Sequence, residues 1–143
     1  MNAVDKNIWT KLRSEAEDYI KSNEDYKDFL ESLVLSNDDF ISSISLKLSR
    51  DLSQAWSFTE KKLYPGILQA LNSMEISKAI EMDLNAVISR DPATNTIIET
   101  FLFSKGFSAL QAYRASNYHW KSENLLSYFL QSRSSQVYGV DIH

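Results

Sequence analysis

The sequence contains no cysteine. That excludes disulfides and thiolate metal sites, and it fits a cytoplasmic protein. Glycine occurs three times and proline twice in 143 residues. Strands need turn residues at short intervals, so this scarcity points to an all-helical chain. Histidine occurs only at 119 and 143, which leaves no multi-histidine metal site. No apolar run approaches the roughly 18 residues that a membrane span needs. The opening MNAVDKNIW lacks the basic and then apolar regions of a signal peptide. Neither charge sign is concentrated: 15 basic and 19 acidic residues are interspersed and leave a net charge of -4. Phosphate backbones want a concentrated basic footprint, so nucleic acid is not expected as a partner, and without a long apolar run neither is a membrane. The motifs CxxC, HExxH, GxxxxGK, GxGxxG and GxSxG are all missing.

What is present is helical periodicity. Hydrophobic residues make up 43% of the chain, which is sufficient for one core. VDKNIWTKLRSEAEDYIK puts Val4, Ile8, Trp9, Leu12, Ala16, Tyr19 and Ile20 on one face, with Asp5 as a candidate N-cap. Tyr26, Phe29, Leu30, Leu33 and Val34 repeat the pattern, and Ser22 with Asp25 has capping-box spacing. Ser36 and Asp39 have the same spacing before a stripe of Phe40, Ile41, Ile44, Leu48, Leu52, Ala55 and Trp56. Pro65 is expected to end or kink a helix, or to open a short one reaching Leu71. Ser73 is placed to cap a long helix carrying Met74, Ile76, Ala79, Ile80, Met82, Leu84, Val87 and Ile88, with Asp83 at the edge of the stripe. Pro92 stops it. Gly106 marks either a close helix approach or a bend. Phe107, Leu110, Ala112, Tyr113, Tyr118 and Trp120 form the next stripe. Ser122 is placed to cap a last helix that packs Leu125, Leu126, Phe129, Leu130 and Val137 and stops at Gly139. The pattern predicts an all-α bundle of about seven to eight helices.

Three polar features stand out. Asp91 sits between Arg90 and Pro92, just past a helix end. It serves either as a turn aspartate bonded to local backbone or as an acid aimed at a cationic group. Lys105 and Arg114 flank a helix, where they snorkel or pair with acids. Asp141 and His143 alternate on the final stretch and so share a face if it is extended.

Three blocks carry a resemblance: AVISRDPATN, SKGFSALQAYRASNYHW and LQSRSSQVYGVDIH. In order and spacing they resemble the N-terminal helical domain of bacterial and plant serine O-acetyltransferases. The likeness covers essentially the whole chain, more loosely before residue 70. The family transfers acetyl from acetyl-CoA to the hydroxyl of L-serine, giving O-acetylserine for cysteine synthesis. The resemblance implies a helical domain over residues 1–138, with 139–143 starting the connection to a left-handed parallel β-helix that follows in the family. It implies trimers built by that β-helix and joined into hexamers by the helical domains. It further implies feedback inhibition by L-cysteine, and docking of the family's C-terminal tail into O-acetylserine sulfhydrylase.

Position by position, Asp91 matches the aspartate that holds the substrate amino group. Asp141 matches the aspartate that orients the catalytic histidine, which lies further along the family's chain. His143 matches the histidine at the entry to the β-helix. No cofactor or metal is expected to bind these 143 residues. Alone they should be inactive, because the base and the CoA cleft lie elsewhere.

The chain also departs from the family. Ser108 stands where KGFHALQAYR has histidine, Asn117 replaces a histidine common soon after it, and Ile98, Glu99 and Thr100 replace a small polar-proline segment. These changes bear on helix packing and assembly more than on acyl transfer. The alternative reading is a freestanding, non-catalytic assembly or regulatory module derived from the same domain.

Overall fold

A computed structural model describes residues 4–90 and 96–142. Eight α-helices run through them: α1 (Lys6–Ser22), α2 (Lys27–Leu30), α3 (Phe40–Leu52), α4 (Glu60–Leu71), α5 (Met74–Arg90), α6 (Ile97–Phe103), α7 (Lys105–His119) and α8 (Asn124–Tyr138). A 3-10 turn, Glu24–Tyr26, enters α2 and a π turn, Glu31–Leu35, leaves it. There is no strand among the described residues.

Helix starts follow local hydrogen bonding, and three differ from expectation. Asp5 caps α1, its carboxylate accepting from the Asn7 N–H at 2.8 Å. The Ser22–Asp25 box does not form. Ser22 is the last residue of α1, its hydroxyl donating to the Tyr19 carbonyl, and Asn23 accepts from the Asp25 N–H at 2.9 Å instead. The backbone is extended at Asn23 (φ -158°), so the break and its cap fall one residue later than Ser22. Likewise Asp39, accepting from the Ser42 N–H, starts α3, whereas Ser36 ends the π turn. Glu123, not Ser122, precedes α8, and it caps without its side chain. Ser73 does cap α5, through a long 3.4 Å bond from the Ile76 N–H.

Pro65 neither ends a helix nor opens one: α4 starts at Glu60 and runs through it. The proline lacks the N–H that would reach the Lys61 carbonyl and its ring crowds that carbonyl, a cost the burial of Leu63, Ile67 and Leu71 offsets. Gly66 follows, and a Cβ there would stand 2.9 Å from Leu126 Cδ2, so the glycine makes room for that side chain of α8. Gly106 faces open space, so close approach is not its role. The chain breaks between helices two residues earlier, at Ser104, whose hydroxyl caps α7 by accepting from the Phe107 N–H at 3.2 Å.

The core lies where α3 packs on α4, α4 on α7, α7 on α8, and α1 on α6. Leu12, Leu30, Phe40, Ile44, Leu63 and Phe101 are fully buried there. Each such side chain contributes about 1.5–3 kcal/mol through apolar burial. Phe40 and Phe101 meet edge to face at 6.0 Å. Several residues assigned to stripes lie outside it. Trp56 is 83% exposed because α3 stops at Leu52 and its register no longer applies. Tyr19, Tyr26, Phe29, Met74, Met82, Tyr118, Trp120 and Leu125 are also exposed.

In α7 the buried face carries Phe107 at its start and then mostly small residues, Ser108, Ala109, Ala112, Ala115 and Ser116, with Gln111 and His119. Small side chains bring α8 close enough for Ser116 and Ser127 to donate to each other's carbonyls. Helix ends are tied across the bundle in the same manner. Arg133 donates to the Leu52 carbonyl at 3.0 Å and Arg13 to the Leu35 carbonyl at 2.9 Å, placing cations at helix C-termini.

Candidate functional site

Both aspartates singled out in the sequence follow helices. Asp91 would follow α5, but residues 91–95 and His143 lie outside the described residues. On one side of that segment, α5 is held to α7 by Asp83, which accepts from Arg114 and, at 3.0 Å, from the buried amide of Gln111. Arg114 therefore pairs with an acid, while Lys105 is exposed. On the other side, α6 begins at Ile97 beneath a carboxylate from a distant helix. Glu15 of α1 accepts from the Ile97 N–H at 2.9 Å and the Ile98 N–H at 3.2 Å. Thr96, at the capping position, makes no such bond itself. Burial raises the Glu15 pKa above its ordinary 4.5, and the two N–H donors oppose that rise.

Asp141 lies three residues past α8. Gly139 closes the helix in the left-handed region at φ 69°, its N–H donating to the Ser135 carbonyl. Glycine adopts this conformation without the penalty a Cβ brings. Val140 and Ile142 then pack against the core, and the intervening Asp141 is exposed. The two apolar residues also border a cleft of about 300 Å³ lined by Tyr113, Ser116, Asn117, Trp120, Gln131 and Ser134.

Under the end of α8 sits a polar cluster that the sequence reading missed. Lys47 is 7% exposed, and its ammonium lies 2.7 Å from Asp51 Oδ2 and 3.1 Å from Ser108 Oγ. The Tyr138 hydroxyl donates to the same Asp51 oxygen at 2.8 Å. The ammonium also lies 5.5 Å from the centre of the Tyr138 ring. Burial, and then the Asp51 charge, raise the Tyr138 pKa far above the phenol range, so its hydroxyl stays a donor. One signal was available: Lys47 falls three residues after Ile44, inside the buried stripe of α3, with an acid four residues on. The link to Tyr138 spans 87 residues and no local pattern reveals it.

His119 is buried between helices, its Nε2 2.7 Å from the Gly66 carbonyl. A carbonyl only accepts, so Nε2 carries the hydrogen and the ring serves packing. Among the described residues no group of three or more His, Asp or Glu side chains is placed to hold a metal ion, and no helix is long and apolar enough to cross a membrane.

A family model described as Serine acetyltransferase, N-terminal, matches residues 8–112. The fold is that of an amino-terminal helical domain, and the chain belongs to the serine acetyltransferase family. It is 40% identical over 139 residues to the serine acetyltransferase of Buchnera aphidicola subsp. Acyrthosiphon pisum, covering 95% of this chain and 50% of that protein. It is also similar to the crystal structure of the Neisseria gonorrhoeae serine acetyltransferase in complex with serine. The TM-score is 0.90 and the identity 34%, over 95% of this chain and 56% of that one. Against the Brucella abortus serine acetyltransferase in complex with coenzyme A, the TM-score is 0.91 and the identity 29%, over 98% and 56% of the two chains. The chain spans about half the length of the curated relatives it matches.

Proposed function

We propose that these residues are the helical part of a cytoplasmic serine O-acetyltransferase. Residues 1–138 are the helical domain, and 139–143 open the connection to a catalytic β-helix. The enzyme moves acetyl from acetyl-CoA to the L-serine hydroxyl, L-cysteine inhibits it at the serine site, and hexamers form through the helical domains. O-acetylserine sulfhydrylase docks on the C-terminal tail of the whole protein. The observation that best supports this reading is the likeness, over 95% of the chain, to a serine acetyltransferase solved with serine.

An alcohol is a weak nucleophile at neutral pH and needs a general base. Asp141 supplies that base indirectly, by orienting a histidine that follows it in the family. The histidine takes the hydroxyl proton as the serine oxygen attacks the thioester carbon. The C–O bond forms, the C–S bond breaks, and the proton leaves with the CoA thiol. Asp91 holds the serine ammonium by charge and position. The exposure of Asp141, between two seated apolar neighbours, suits a carboxylate that must face another structural unit.

The test is serine-dependent release of free thiol from acetyl-CoA. A chain continued into the catalytic half should turn over and the 143-residue chain should not. Turnover by the 143 residues alone would overturn the division of labour.

A further inference from the structure

The second polar cluster has no part in the chemistry just described, yet it lies beneath the helix that ends three residues before Asp141. We propose that Tyr138, held by the Lys47–Asp51 pair, is a positioning residue for Asp141: it sets the direction in which the chain leaves the bundle. This rests on the reading that Asp141 orients the catalytic histidine.

An ion pair with one buried partner, Lys47, and one half-buried, Asp51, is a poor way to gain stability, since apolar residues of similar volume do as well or better. What it supplies is direction. Asp51 Oδ2 accepts from both the Lys47 ammonium, at 2.7 Å, and the Tyr138 hydroxyl, at 2.8 Å. The ammonium also reaches Ser108 of α7 at 3.1 Å. One point thus joins α3, α7 and the last residue of α8. An apolar side chain at 138 would pack in the same space but could slide or rotate, because dispersion contacts are not directional. A phenol donating to a fixed carboxylate does so much less.

The residues beyond convert that anchor into an orientation. Gly139 turns the chain in the left-handed region, Val140 and Ile142 seat on the core, and Asp141 faces outward between them. The whole path from anchor to carboxylate is three residues, within about 11 Å of chain. Errors at the anchor therefore reach Asp141 with little slack to absorb them. A catalytic group tolerates only about 0.5 Å of misplacement. The resemblance puts a histidine at position 108, and here the shorter Ser108 is the group that accepts from Lys47.

The experiment compares the wild-type chain with Tyr138→Phe, which removes one oxygen, and with Tyr128→Phe, an exposed tyrosine on the same helix. Amide hydrogen exchange and relaxation order parameters are measured in the 143-residue chain. In Tyr138→Phe, residues 140–142 should lose order while α1 to α7 keep their protection. Tyr128→Phe should behave as wild type. Unchanged order at 140–142 in Tyr138→Phe overturns the proposal. If Tyr138→Phe does not fold, the double variant Lys47→Met with Asp51→Leu, which removes the acceptor without leaving an unpaired ammonium, is read by the same criteria.

In the chain continued into the catalytic half, Tyr138→Phe should lower kcat about tenfold and leave KM for L-serine and acetyl-CoA within about twofold. A change in KM alone, or none at all, also overturns it. If the wild-type continued chain transfers no acetyl group, the reading of Asp141 fails instead, and the anchoring is decided by the order measurements.

Discussion

Glu15 and the Lys47–Asp51 pair occupy corresponding places, one at the start of α6 and the other at the end of α8. Each comes from an N-terminal helix, α1 or α3, and each fixes the flank of a segment that carries a candidate site aspartate. They use different physics. Glu15 is half-buried and speaks to backbone, filling two N–H groups that α6 would otherwise leave open. The α3 pair speaks to side chains, with one almost fully buried ammonium. A cap near water tolerates loss, because solvent replaces it. A buried charge does not, because nothing replaces its partner.

This contrast is broken most sharply at Asp51. Asp51→Ala leaves the Lys47 ammonium and the Tyr138 hydroxyl with a partner removed, and should cost about 3 kcal/mol in urea unfolding. Replacing both charges, Lys47→Met with Asp51→Leu, should recover most of that loss; a double variant as unstable as the single would contradict the account. Glu15→Ala, the equivalent cut at the start of α6, should cost only about 1 kcal/mol, in the range of a lost N-cap. A cost equal to that of Asp51→Ala would erase the difference between the two fasteners.

Acidity separates them further. Burial raises the Glu15 pKa above 4.5, so the folded chain binds that proton more tightly than the unfolded chain does. The associated stability is fully present below 4.5 and is lost as pH rises through the folded value. Wild type should therefore gain on Glu15→Gln as the solution is acidified across that window, in paired melts. The opposite trend would show that the two N–H donors outweigh burial. The smallest effect belongs to Trp56, which is 83% exposed. Trp56→Ser should stay within about 0.5 kcal/mol of wild type.

The apolar framework was legible because its signal is local. Ile8, Leu12 and Ala16 in α1, and Ile44 and Leu48 in α3, are buried as their spacing predicts. Gly139 ends α8 for the same reason: its conformation is a property of one residue. Errors arose where the partner was remote. The Tyr118 and Trp120 register failed because α7 turns a face of small residues inward, and only the approach of α8 makes that face the buried one. The helix end or helix start expected at Pro65 does not occur, because the proline signal is a local cost, while burial of Leu63, Ile67 and Leu71 carries α4 through it. In the candidate site, the placement of Asp141 just past a helix end could be read directly. The residues that steady it, and Glu15 82 residues before Ile97, could not, since periodicity has no term for contacts between distant helices.

The π turn at Glu31–Leu35 has a consequence of another kind. Its closing bond runs from the Ser36 N–H to the Glu31 carbonyl, so this turn holds one residue more than an α-turn would. Leu30 and Val34 are nevertheless both buried. Within α3 or α7, losing a residue would swing every later side chain by about 100° around the axis. Here the loss of Glu31, which is exposed, would let the turn close as ordinary α-helix with Leu30 and Val34 still on one side. The turn is a store of spare chain within a helical run.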